Sequence, residues 1–158
     1  SWTARVRLPS WAGYLDRSGA YGGPGEHTFS DGSVRLVFAP EGRNKDPLTE
    51  DETALTRWII DNEPALSQAV KEAMLTGLQE LLPAITSVDD LRADLGLYAV
   101  NVHQVEHARL PYVGFEFGCT WDEEHGLGVL MHGMRCVAIG GVDTAFLLWI
   151  AEEDAKRN

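Results

Sequence analysis

A chain of 158 residues is long enough to bury roughly two-thirds of the surface its unfolded form exposes, and one domain is the expectation for residues 1–158. With 24 acids against 13 bases the net charge is −11, which argues against nucleic acid and against an anionic membrane, because both need concentrated Lys and Arg. No apolar run approaches the ~20 residues that span a bilayer, no basic-then-apolar signal segment opens the chain, and two cysteines make no disulfide framework; a reducing cytoplasm fits.

Residues 4–8 alternate and read as a strand stopped by Pro9. Residues 10–31 are rich in Gly, Ser and aromatics and read as a long surface loop anchored by Trp11, Tyr14 and Tyr21. The Gly22-Gly23-Pro24-Gly25 cluster lacks the Gly-Lys-Ser/Thr ending and the apolar helix that a phosphate loop requires. Ser30-Asp31-Gly32 signals a turn, after which Val34, Leu36 and Phe38 alternate along a strand that ends at Pro40; residues 43–47 break the pattern.

Thr49-Glu50-Asp51-Glu52 is a capping box that opens a helix with Leu55, Trp58 and Ile59 on one face. Asn62 is the expected cap of a second helix, with Pro64 in its first turn, and Leu66, Val70, Ala73, Met74, Gly77 and Leu81 form its buried stripe up to Pro83. Ser87 and Asp90 form another capping box, for a short helix that stops at Gly96. Helices on one face of a sheet are the economical arrangement.

Residues 98–106 read as a strand, with Tyr98, Val100 and Val102 on one face and Ala99, Asn101, His103 and Val105 on the other. His103 to His107 matches the H-x-x-E-H pattern of inverted zinc peptidases, whose histidines share a metal when they lie on a helix. In a strand the same spacing separates them by about 13 Å at ~3.3 Å per residue, which argues against that chemistry.

Residues 112–141 carry three alternating runs: Val113, Phe115 and Phe117; Leu127, Val129 and Met131; then Val137 and Ile139. His132-Gly133 stands at tight-hairpin spacing between the last two. The connection over 119–126 holds the densest polar cluster, Asp122, Glu123, Glu124 and His125 beside Trp121. Three acids and a histidine are divalent-metal ligand types, with His103, Asn101 and Glu116 as candidates to reach in, but side chains of consecutive residues diverge. Acid–base work by Glu124 and His125 beside Trp121 is the other chemical option. The bland reading is structural: Asp122 and His125 satisfy the turn, Gly126 and Gly128 allow a bend or bulge, and Glu123 and Glu124 point outward. In the tail, Asp143 is the expected N-cap of a helix over 145–156.

The block GCTWDEEHGLGV, followed by a hairpin and a glycine pair, resembles a group of small bacterial domains of which several are associated with the immunity half of toxin–immunity pairs; LPSWAGYLDRSGAYG and SDGSVRL resemble the same group. The resemblance implies a protein that binds and neutralises a cognate toxin; the residues themselves lead to the expectation of no enzyme, no cofactor and no metal. The acidic balance adds that this toxin is basic. The expected fold is α+β: an antiparallel sheet of about five or six strands, two main helices on one face and a C-terminal helix. Trp11, Tyr14, Tyr21, Trp121, Glu123 and Glu124 are the expected partner contacts, and a second copy of the chain is a further candidate partner. The rival readings are a metal-assisted or acid–base enzyme centred on 121–125 and a non-catalytic scaffold.

Overall fold

The computed structural model describes residues 2–16, 29–38 and 49–157. In chain order these form β1 (Trp2–Arg7), a 3-10 turn (Pro9–Trp11), β2 (Ser33–Phe38), α1 (Glu50–Asp61), α2 (Glu63–Leu78), a 3-10 turn (Val88–Leu91), β3 (Leu95–His107), β4 (Leu110–Cys119), β5 (Leu127–His132), β6 (Arg135–Gly140), a 3-10 turn (Val142–Ala145) and α3 (Leu148–Arg157). The class is α+β, and the six strands lie side by side in sequence order. The sheet is mixed rather than antiparallel, because β2 runs parallel to β3, with Arg35 opposite Ala99 and Phe38 opposite Val102. A parallel pair needs a long crossover, and α1 and α2 lie in that connection.

The capping box at Thr49 is formed: Glu52 N donates to Thr49 Oγ1 at 3.1 Å and Thr49 N to Glu52 Oε1 at 2.9 Å. Asn62 stands at the N-cap of α2, its carbonyl accepting from Leu66 N at 2.8 Å, but its side chain does not cap that helix. Its Nδ2 donates backwards to Trp58 O at 2.8 Å, a carbonyl that it shares with its own backbone N at 2.9 Å. The buried stripe of α2 is Leu66, Val70, Met74 and Leu78. The helix ends at Leu78, so Leu81 falls off the stripe and is 60% exposed. The Ser87 box is formed but holds only a 3-10 turn, and Gly96 lies inside β3 instead of ending a helix.

One sheet face presents Val34, Leu36, Phe38, Val100, Val102, Val113, Phe115, Phe117, Val129 and Met131 to Ile59 of α1 and to Leu66, Val70 and Met74 of α2. The helices are not confined to that face. Tyr112 and Leu130 point the other way and pack with Ala151 and Ile150 of α3. Glycines let the tail come this close: a Cβ on Gly114 would sit 1.7 Å from Ala145 O, and one on Gly128 2.6 Å from Gly141 O. Gly128 therefore marks close approach and not a bulge; it pairs in register with Glu116 and Gly140.

β3 is irregular between Leu97 and Ala99. The extra residue takes Tyr98 out of phase with Val100, and its hydroxyl donates to Glu116 on the second face. The β5–β6 turn is Gly133-Met134, with His132 still paired to Arg135. Asp143 lies in a 3-10 turn separate from α3, which begins at Leu148. Among the described residues no helix is long and apolar enough to cross a membrane.

Candidate functional site

The turn over 120–126 joins β4 to β5 and closes on itself. Thr120 N and Oγ1 donate to Asp94 O and Oδ1, at 2.9 and 2.8 Å. Asp122 Oδ1 accepts from the backbone N of His125 at 3.2 Å and pairs with its Nδ1 at 3.0 Å. Asp122 O accepts from Gly126 N at 2.9 Å and from Cys119 Sγ at 3.5 Å, while Val142 N donates to His125 O at 2.8 Å. Gly126 has φ +60, and a Cβ there would stand 2.7 Å from Phe117 O, so the tight end of this turn is built for glycine.

Electrostatics follow from that geometry. The two bonds from His125 hold the Asp122 carboxyl below the usual carboxylate range. The Asp122 bond and charge raise the imidazole of His125, with smaller contributions from Glu124 and Asp143. Trp121 is half-buried and packs against the core, whereas Glu123 and Glu124 are exposed. Asp94 and Asp143 are exposed beside the turn. What results is a braced acidic projection.

Trp11 and Tyr14, expected as contacts, are core residues at 1% and 3% exposure. Trp11 Nε1 donates to Ser67 Oγ at 3.0 Å, and Ser67 Oγ in turn donates to buried Glu63 Oε1 at 3.1 Å. Glu63 Oε1 also accepts from Ser10 N at 3.1 Å. Lys71 Nζ donates to Ser10 O at 2.8 Å and to Asp89 Oδ1 at 3.2 Å, and lies 4.9 Å from the Trp11 ring and 5.0 Å from that of Tyr14. The Tyr14 hydroxyl donates to the same Asp89 oxygen. Burial and then this bond raise the Tyr14 phenol, and the bond, with Lys71, lowers Asp89. Aromatic rings with such partners are held inward. Tyr21 and the Gly22-to-Gly25 cluster lie outside the described residues.

Asn101, His103 and Glu116 do not converge on Asp122 and His125. Asn101 Nδ2 donates to Glu116 Oε2 at 2.8 Å, and His103 Nε2 meets Ala145 O at 2.9 Å. No group of three or more His, Cys, Asp or Glu placed to hold one metal ion occurs among the described residues. Cys119 and Cys136 form no disulfide, and burial raises the thiol of Cys136.

The family described as a domain of unknown function, DUF6985, matches residues 13–147. The chain belongs to this family. No curated protein and no solved structure matches it. The matched residues enclose the 120–126 turn and the Tyr14–Lys71–Asp89 contacts, whereas β1 and α3 lie outside them.

Sequence reasoning missed a second polar cluster, under α3. Arg135 donates through both Nη atoms to the Asp154 carboxylate, at 3.2 and 2.5 Å, and Tyr112 donates to Asp154 Oδ2 at 2.6 Å. Burial and then this contact push the Tyr112 phenol up to about 12. His132 stacks on Tyr112 with ring centroids 4.4 Å apart, and its Nε2 meets His107 O at 2.8 Å. The cluster borders an open cleft of about 430 Å³ lined by Val137, Trp149, Ile150, Glu153, Asp154 and Arg157. Only the fold brings Arg135 and Tyr112 to Asp154, near the carboxyl end of α3.

Proposed function

We propose that this domain binds and neutralises a basic partner protein in the reducing cytoplasm, in the manner of an immunity protein against its cognate toxin. The observation that carries the reading is the 120–126 turn, which is braced by the Asp122–His125 bonds and by bonds to Asp94 and Val142 and leaves Glu123 and Glu124 exposed. A braced turn loses little conformational freedom on binding. The net charge of −11 favours fast encounter with a positively charged surface. The contact surface under this reading is Glu123 and Glu124, with half-buried Trp121 beside them and Asp94 and Asp143 at the margin. Trp11 and Tyr14 have no part in it.

The test is capture of partners from the native lysate on immobilised protein through a salt series. A single basic protein retained at moderate salt and released at high salt is the expected result. The Glu123→Lys, Glu124→Lys double variant should slow association with it by about tenfold or more at low salt, the range in which charge steers encounter. Unchanged kinetics would remove the turn from the interface, and retention of no protein at any salt would defeat the reading.

A further inference from the structure

β1 stands at one margin of the sheet, so among the described residues one of its edges has no neighbouring strand. Its two faces differ in kind, for Trp2, Ala4 and Val6 alternate with Thr3, Arg5 and Arg7. The antiparallel register sets Arg5 directly opposite Arg35 of β2, with Arg7 opposite Ser33. All three arginines are exposed. Arg7 Nε donates to Asp31 O at 3.0 Å, whereas neither Arg5 nor Arg35 has a hydrogen bond or an ion pair to a described residue.

Like charges directly opposite on one sheet face, with Cβ atoms roughly 5 Å apart, destabilise the pair. A cation on an edge strand guards against unwanted pairing, which accounts for Arg5. It does not account for Arg35, which sits on an inner strand at the one position that adds repulsion. In a chain with 13 bases against 24 acids, two bases side by side without a bonded acid among the described residues ask for an anion from outside.

We propose that the β1 edge, with Arg5 and Arg35, is a docking site for an extended acidic segment of a partner protein, which adds to β1 as a further strand. The outer edge over residues 3–7 supplies backbone hydrogen bonds, and the two guanidinium groups take carboxylates from alternate residues of the segment. The intervening residues of the segment lie on the other face beside Trp2, Ala4 and Val6 and are apolar, because side chains alternate along a strand. A second copy of this chain is the wrong occupant, since pairing β1 with β1 would gather four arginines from positions 5 and 35. A phosphate polymer would satisfy the arginines but leave the backbone edge and the apolar face unmatched. This surface is opposite in sign to the 120–126 turn and does not depend on what that turn binds.

The test is fluorescence anisotropy of the full chain with a labelled peptide of alternating Glu and Val. A Lys–Val peptide of the same length and a single-stranded DNA oligonucleotide of matched charge serve as comparison probes. The Glu–Val peptide should bind, the Lys–Val peptide should not, and the backbone amide resonances of β1 should shift. Arg5→Thr and Arg35→Thr should each weaken the peptide by about tenfold, the size of one charged hydrogen bond. Because each also relieves repulsion, the melting temperature should stay level or rise. Weakened binding together with a fall in melting temperature would make these arginines structural and overturn the proposal. So would absence of peptide binding, equal binding by the variants, tighter binding of the oligonucleotide, or self-association through β1.

Discussion

Residues 8–15 and 120–126 are both short, both carry aromatic and polar side chains, and both follow a strand end. Their fates differ because their polar partners come from different places. In 120–126 the acid that braces the turn has a local partner: Asp122 serves His125 three residues on, and although Thr120 and the His125 carbonyl reach Asp94 and Val142, Glu123 and Glu124 stay at the surface. In 8–15 they are remote: Ser67 and Asp89 accept from Trp11 and Tyr14, and Lys71 donates to the carbonyl of Ser10. Local closure leaves charge at the surface. Closure over long range pulls rings into the core and ties the segment to α2.

The largest test of this contrast is Trp11→Ala. It removes a ring that packs edge-on to Phe117 at 5.1 Å and takes away the donor that Ser67 Oγ accepts from, and should cost about 3–5 kcal/mol of unfolding free energy in a urea titration. Trp121→Ala, at a half-buried ring, should cost clearly less; equal losses would erase the distinction. Gly126→Ala comes next. It forces a Cβ against Phe117 O at positive φ and should cost about 1–2 kcal/mol, while also releasing the turn so that Glu123 and Glu124 lose their fixed presentation. A neutral outcome would mean that the turn is not braced as described.

The smallest effect is a titration. His125 should titrate above the ordinary histidine range by NMR, and Asp122→Asn should bring it back down. Since its folded value is raised, the stability it contributes is complete below the unfolded value near 6.5 and is lost as pH rises through the folded value. For Asp122, lowered in the fold, the contribution is present above 3.8 and is lost as pH falls through the folded value. An unshifted His125 would show that the Asp122 contact does not form in solution.

Strand and helix content was legible wherever the signal is local. Alternation marked β2, β4 and β5, and the Thr49 and Ser87 boxes marked element starts, because an N-cap and its third residue are bonded within one turn. The outward position of Glu123 and Glu124 was legible for the same reason. What the sequence by itself determined, then, was the α+β class, the order of the main elements and the exposed acidic turn. The tertiary structure alone decided that β2 and β3 run parallel, that the tail covers the second sheet face against Gly114 and Gly128, and that Arg5 stands against Arg35. It also decided that Trp11 and Tyr14 are core and that Asp154 serves Arg135 and Tyr112. In each of these the deciding partner lies far away in sequence, and neither propensity nor periodicity carries information about which distant group a side chain or strand will meet.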